Sequence, residues 1–373
     1  MFSSRLDWPV QTNRLSALLK TKPRVLDLTQ SNPTHAGIEY PAKEILDALA
    51  DPRAIRYDPE PRGLLTAREA VSRYYGDVPA SRILLTASTS EAYAYLFKLL
   101  CDPGDEILSP RPSYPLFEFL AGLESVRVVQ YPLRYDGMWH IDFGALERAI
   151  TPRTRAIVVV NPNNPTGSFL KHDEWLRLEQ LGIPILSDEV FADYGFSPDP
   201  SRVSSLTRAK NVLTLSMSGL SKIAALPQVK LGWIAASGPG HEAALERLEL
   251  IADTYLSVAT PVQLALPRLL ALSVATREQI VARTRRNLAF LRDATHNSAA
   301  QPLKVEGGWY AIVQMPRTRS EEDWTIALLD RRDVLVHPGF YFDFESEAFL
   351  VLSLLTSPDV FEEGVRRMLE EIG

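Results

Sequence analysis

Short runs of uninterrupted apolar residues alternate along this chain with longer amphipathic stretches. Runs 83–87, 106–109, 126–131, 156–160, 183–187, 212–216 and 231–236 read as strands. Stretches 88–100, 114–123, 143–150 and 173–181 between them carry apolar positions at helical spacing. Ser88 and Glu91 stand as a capping box at the head of the first. Strands that are apolar throughout need cover on both faces. The pattern therefore predicts an α/β fold with a mostly parallel seven-stranded sheet between helices. Ligands in such sheets bind at the carboxyl ends of the strands.

The flanks read differently. A short helix over 13–20 and a strand over 26–29 precede the turn-rich QSNPTHAGIEYP, and helices follow over 42–50 and 64–75. Beyond the sheet, long helical patterns cover 242–257 and 262–292. Strands at 305–316, 334–338 and 349–354 then mix with helices at 324–331 and 360–372. This is a smaller α+β unit. The expected division is 1–40 as N-terminal arm and part of the small domain, 41–265 as the large domain, and 266–373 as the small C-terminal domain.

Composition narrows the function classes. The 373 residues are 46% hydrophobic and 23% charged, enough for a substantial core. A net charge of −6 gives no general pull toward nucleic acid or an anionic membrane. One cysteine, Cys101, excludes an intrachain disulfide and points to a reducing compartment. The N-terminus lacks the apolar core of a signal peptide, and no run approaches the ~20 apolar residues of a membrane span. A cytoplasmic protein is expected, with no nucleic-acid or membrane partner.

Several residues at strand ends carry chemistry. The run 212–216 breaks into small hydroxyl residues and delivers Lys222, with a second cation, Lys230, eight residues on. A lysine so placed suits a nucleophilic amine, though a solvated loop lysine has the same signature. Ser88, Thr89 and Ser90 follow a strand and open a helix, where free N–H groups and the helix dipole favour an anion; plain N-capping is the bland reading. Asp188 ends a strand and suits a protonated ring nitrogen, or simply caps the next turn. NPNNPTG, residues 161–167, is a tight loop carrying Asn164, and RPSYPLF, residues 111–117, carries Tyr114.

TASTSEA, PSYP, NPNNPTG, SDEVF and SGLSK occur in one order, with 24 residues from Asn164 to Asp188 and 34 from Asp188 to Lys222. In this the chain resembles the class I/II aminotransferases, fold-type I enzymes of pyridoxal 5′-phosphate, over most of its length. The resemblance implies a homodimer with shared active sites. Lys222 would carry the cofactor as an internal aldimine and move the substrate proton. Asp188 would pair with the ring nitrogen, Asn164 with the ring oxygen, and Tyr114 would stack on the ring. Ser88, Thr89, Ser90 and Lys230 would hold the phosphate, with Tyr57 reaching into the neighbouring subunit. No metal is implied.

There are departures from the family pattern. Ser88 replaces a usual glycine, Gly219 a serine, Lys230 an arginine, and Phe191 a ring-oxygen tyrosine, with Tyr194 close by. Most consequential, Val351 stands where the family's carboxylate-binding arginine is expected. Either another donor has taken over, Arg62 being the first candidate with Gln30 and Asn32 beside Pro33, or the substrate has no carboxylate there. The expected function is amino transfer between an amino acid or amine and a keto acid. A lyase or decarboxylase, or a non-catalytic regulatory relative, stays open.

Overall fold

A computed structural model describes residues 2–6 and 13–373. After β1 (Leu26–Asp27), the chain lays down β2 (Ile83–Thr86), β3 (Glu106–Arg111), β4 (Arg127–Tyr135), β5 (Trp139–Ile141), β6 (Thr154–Val160), β7 (Ile185–Asp188), β8 (Thr214–Gly219) and β9 (Gly232–Ser237). Strands β2 to β9 form one eight-stranded sheet in the order β2-β9-β8-β7-β6-β3-β4-β5. The central run β8-β7-β6-β3-β4 is parallel, β9 lies antiparallel to both its neighbours, and β5 closes an antiparallel hairpin on β4.

The expected seven strands are thus eight. The extra strand is three residues long and follows a turn at Gly137, whose φ is +106°. A run that short has no periodicity to read. Its two inward residues, Trp139 and Ile141, are nonetheless buried. The helix expected from 114 starts instead at Phe117, leaving Tyr114 in a turn before it.

Apolar cores cover both faces of the sheet. Leu96, Phe97, Leu186, Met217 and Leu248 belong to one, while Leu108, Ile157, Leu178 and Ile185 belong to another on the opposite side. The rest of the chain adds β10 (Gln301–Pro302), β11 (Tyr310–Gln314), β12 (Val334–Leu335), β13 (His337–Pro338) and β14 (Phe349–Ser353). Four of these form a smaller sheet, β10-β11-β14-β13, and β12 pairs with β1 from the N-terminal segment. Both chain ends therefore build the smaller unit. The helix Thr260–Ala294 joins the two parts. Its Val262, Leu266 and Leu269 pack under the large sheet, and its Leu288 and Leu291 sit in the core of the small one. The division expected at 265/266 passes through this continuous helix.

The two sheets touch beside the loop 161–167. A Cβ on Gly167 would lie 2.3 Å from the Gly307 carbonyl oxygen, and Gly167 has φ +66°. Only glycine accepts both conditions. On the other flank, Ser113 N–H donates to the Phe342 carbonyl, Arg111 and Arg134 pair with Glu345, and Gln130 donates to Asp343.

Candidate active site

A cleft of about 350 Å³ opens at the carboxyl ends of the parallel strands, between the two sheets. Ser88, Thr89, Ser90, Tyr114, Asn164, Asp188, Lys222 and Lys230 all border it. Tyr57, Arg62 and Asn32 do not.

One end of the cleft is built for an anion. Thr89–Leu100 is a three-turn helix whose first N–H groups face the cleft with the hydroxyls of Thr89 and Ser90. Ser88 caps it by accepting from Glu91 N–H at 3.2 Å. The reciprocal bond goes one residue further back than a capping box requires. Glu91 Oε2 accepts from Ala87 N–H at 2.6 Å and also from Ser257. Lys230 adds the charge. It is exposed, and its φ of +56° is unusual for a residue with a side chain. Gly219 has a steric reason. A Cβ there would meet Gly232 Cα and the Leu231 carbonyl at 2.9 Å, because β8 and β9 approach closely at their ends. A serine would not fit without moving β9.

At the other end the three asparagines of NPNNPTG divide their work. Asn161 donates to the Val203 carbonyl and accepts from Leu170 N–H, and Asn163 accepts from Thr166; both hold the loop. Asn164 faces the cleft, and its Oδ1 is buried without a partner among the described residues. Asp188 closes β7. Its Oδ1 accepts from Val190 N–H at 3.2 Å and its Oδ2 from the Tyr93 hydroxyl at 3.0 Å. Burial pushes its carboxyl up to about 6, against the pull of those two bonds and of Lys222. The neighbouring Glu189 is fully engaged by Ser187, Ser205 and Leu206 N–H, a structural role.

Lys222 rises from the short helix Leu220–Ile223 directly after β8. Its Nζ lies 4.9 Å from the Trp309 ring centre and 5.6 Å from that of Phe191. Burial lowers its proton affinity, and Asp188 opposes that. A lowered pKa leaves more free amine, the nucleophilic form. Phe191 packs on Trp309 and Tyr194. Tyr194 is buried beneath, with its hydroxyl donating to the Lys222 carbonyl rather than facing the cleft.

A phosphate-bearing pyridine aldehyde fits these groups. Helix N–H groups, hydroxyls and Lys230 suit its phosphate; Asp188 suits a ring N–H; and Asn164, which borders the cleft, carries in its Nδ2 amide a donor that suits a ring oxygen.

The remaining expected residues stand elsewhere. Tyr57 is 72% exposed on a loop outside this chain's cleft. Asn32 folds back on Thr34, and Gln30 Oε1 accepts from Asn32 N–H; of that segment only Ser31 borders the cleft. Arg62 corrects the expectation of a relocated carboxylate anchor. Its Nε donates to Glu249 at 2.6 Å and it also donates to the Ser81 carbonyl, so its charge is spent away from the cleft. Val351 is fully buried with Trp139, Leu303, Ile312 and Phe342. The cleft's roof is formed by Tyr310 and Ser31, with Ser113 and Phe117 nearby. Sequence reasoning missed Tyr93, Ser31 and Tyr310. The Gly307–Gly308 turn before Tyr310 was the available signal for the last.

The family model described as aminotransferase class I and II matches residues 23–368. The chain is 31% identical over 255 residues to the glutamate-pyruvate aminotransferase AlaA of Escherichia coli strain K12, covering 65% of this chain and 62% of that protein. It is 33% identical over 258 residues to an alanine aminotransferase of Mycobacterium tuberculosis strain H37Rv, covering 65% of this chain and 59% of that one. The matched region is thus less than two thirds of either relative. Among solved structures, an aminotransferase from Escherichia coli superposes with a TM-score of 0.87 at 24% identity, over 100% of this chain and 98% of that one, a likeness of fold. Among the described residues, no helix is long and apolar enough to cross a membrane, and no group of three or more His, Cys, Asp or Glu is placed to hold a metal ion.

Proposed function

The chain belongs to the class I and II aminotransferases, and we propose that it transfers an amino group between an amino acid or amine and a keto acid with pyridoxal 5′-phosphate as cofactor. One observation carries this reading. Lys222 at the end of β8, Asp188 at the end of β7 and the hydroxyl-rich helix start after β2 all border one cleft. The names of the relatives, glutamate-pyruvate and alanine aminotransferase, support it.

The bound cofactor supplies an aldehyde for the amino group and a cationic ring that withdraws electrons. The chain's residues do the rest. Lys222 Nζ would hold the cofactor and, once freed as an amine, would take and return the proton at the substrate α-carbon. Asp188 holds the ring nitrogen's proton and so keeps the ring electron-poor. Asn164 would donate through its amide Nδ2 to the ring oxygen, and Tyr114, which also borders the cleft, would cover the ring face. Thr89, Ser90, Ser88 and Lys230 bind the phosphate.

A homodimer with shared sites goes with this proposal. Tyr57 and Leu256 border one surface depression, and Ile55, Leu250 and Tyr255 nearby in sequence are also exposed. A cytoplasmic location accords with the single Cys101.

Decarboxylation on the same cofactor is the second reading, and the roof favours it. A carboxylate beside Tyr310 and Ser31 meets neutral hydroxyls, and loss of CO2 relieves a charge held in such surroundings.

The test reconstitutes the protein with cofactor and offers α-amino acids and their decarboxylated amines in single turnover, read by the cofactor's absorbance. Transamination predicts a keto acid or aldehyde and conversion of the cofactor to its amine form. Carbon dioxide release with no such conversion supports the decarboxylase. Borohydride reduction and peptide mapping should place the cofactor on Lys222, and a label on another lysine overturns the assignment.

A further inference from the structure

We propose that Tyr93 is a positioning residue for Asp188, holding the carboxylate ionised and aimed at the cofactor ring from the same helix that receives the phosphate. The inference rests on the reading above, but its geometry is independent of substrate.

The helix Thr89–Leu100 does two jobs at two depths. Its first turn offers N–H groups and the hydroxyls of Thr89 and Ser90. Tyr93 lies three and four residues further on, so it shares their face one turn deeper. Its hydroxyl ends 3.0 Å from Asp188 Oδ2, across 95 residues of sequence. Val190 N–H holds the other oxygen, Oδ1, at 3.2 Å. Each oxygen of Asp188 thus has one donor from the protein, which fixes the plane of the carboxyl group and leaves lone pairs toward the cleft.

The tyrosine ring is itself fixed. It meets Phe117 edge-on at 5.2 Å and 86°, and Phe97 at 5.8 Å. Phe117 and Tyr93 both border the cleft. A buried tyrosine ordinarily needs some partner, so packing alone accounts for the ring. The partner found is a cleft-lining carboxylate that burial drives toward its neutral form. A hydroxyl donating to an ionised carboxylate opposes that drive. Burial also holds the Tyr93 hydroxyl well above its ordinary range, so it stays a donor at neutral pH. Phenylalanine would keep the ring contacts and remove only the donor.

The experiment compares wild type, Tyr93→Phe, Asp188→Asn and the double variant as reconstituted holoproteins. Readouts are cofactor affinity, the pH titration of the cofactor's absorbance, and the single-turnover rate where measurable. Tyr93→Phe should keep its fold by circular dichroism and slow the half-reaction by roughly 5- to 20-fold, the scale of one charge-assisted hydrogen bond. It should move the acid limb of the spectral titration upward. In the Asp188→Asn background the same change should have no effect on affinity or spectrum, because its target is gone. An effect of equal size in both backgrounds would mean that Tyr93 acts through packing. Unchanged spectrum, affinity and rate in Tyr93→Phe would overturn the proposal outright. A wild type that forms no cofactor band would instead sink the functional reading beneath it.

Discussion

The hydroxyl of Tyr194 donates to the backbone carbonyl of Lys222 over 2.5 Å. A second tyrosine, Tyr40, donates to the Ala225 carbonyl at 2.8 Å. The lysine's short helix is therefore pinned from below through its backbone, leaving the amine free in the cleft. Tyr194→Phe should cost about 1 kcal/mol in urea unfolding, the net worth of one neutral hydrogen bond. It should also slow cofactor attachment, followed by absorbance after mixing. Attachment at the wild-type rate would show that the pin has no bearing on the amine.

Asp188 should give the cofactor-free protein a pH-dependent stability. Its carboxyl titrates near 6 in the fold, against an ordinary 3.8. Between these values the folded chain holds a proton that the unfolded chain has released. Stability therefore falls as pH rises through that window and levels off above it. A shift of two units corresponds to about 3 kcal/mol, and the open cleft beside the carboxyl reduces this to about 1–2 kcal/mol. Denaturant titrations from about pH 4 to about pH 8 should show the decline, and Asp188→Asn should flatten it. Bound cofactor should flatten it too, by giving the carboxylate a cationic partner.

Lys230→Ala should weaken cofactor binding by roughly 10- to 100-fold, the range for a hydrogen bond to a charged group. Because Lys230 is exposed, the wild-type affinity should fall with added salt more steeply than the variant's. Fluorescence titration at two ionic strengths checks both. Equal salt dependence would place Lys230 away from the phosphate.

Val351→Arg should not restore a carboxylate anchor. The side chain at 351 enters an apolar layer with Trp139, Leu303, Ile312 and Phe342. A guanidinium there has no acidic partner in the layer, and the cost should be at least about 3 kcal/mol. Chemical denaturation measures it. A stable variant with improved affinity for amino acids would show that the layer opens to the cleft.

The strand-end residues were legible because the chemistry and the fold signal coincide. Lys222, Asp188, Asn164 and the Ser88–Ser90 run each follow an apolar run that stops at a polar residue, and in a parallel sheet all such stops face one crevice. What was not legible depends on partners far off in sequence. Arg62 looks available until Glu249, 187 residues on, takes its charge. Tyr93 looks like one more apolar position of an amphipathic helix until Asp188 arrives above it. Val351 is hidden for a related reason. The large-sheet residue in its apolar cluster, Trp139, lies on β5, the strand too short to read.

The helix Thr260–Ala294 has a consequence for how the molecule comes apart. Its first turns complete one core and its last turns another, through 35 continuous residues. Neither sheet can lose its cover without exposing part of a rod the other still needs. Melting should accordingly be a single calorimetric event, with measured and van't Hoff enthalpies in agreement for each chain. Two resolved transitions would mean that the rod breaks in the middle, at Pro267 or beyond, and that its halves belong to separate folding units.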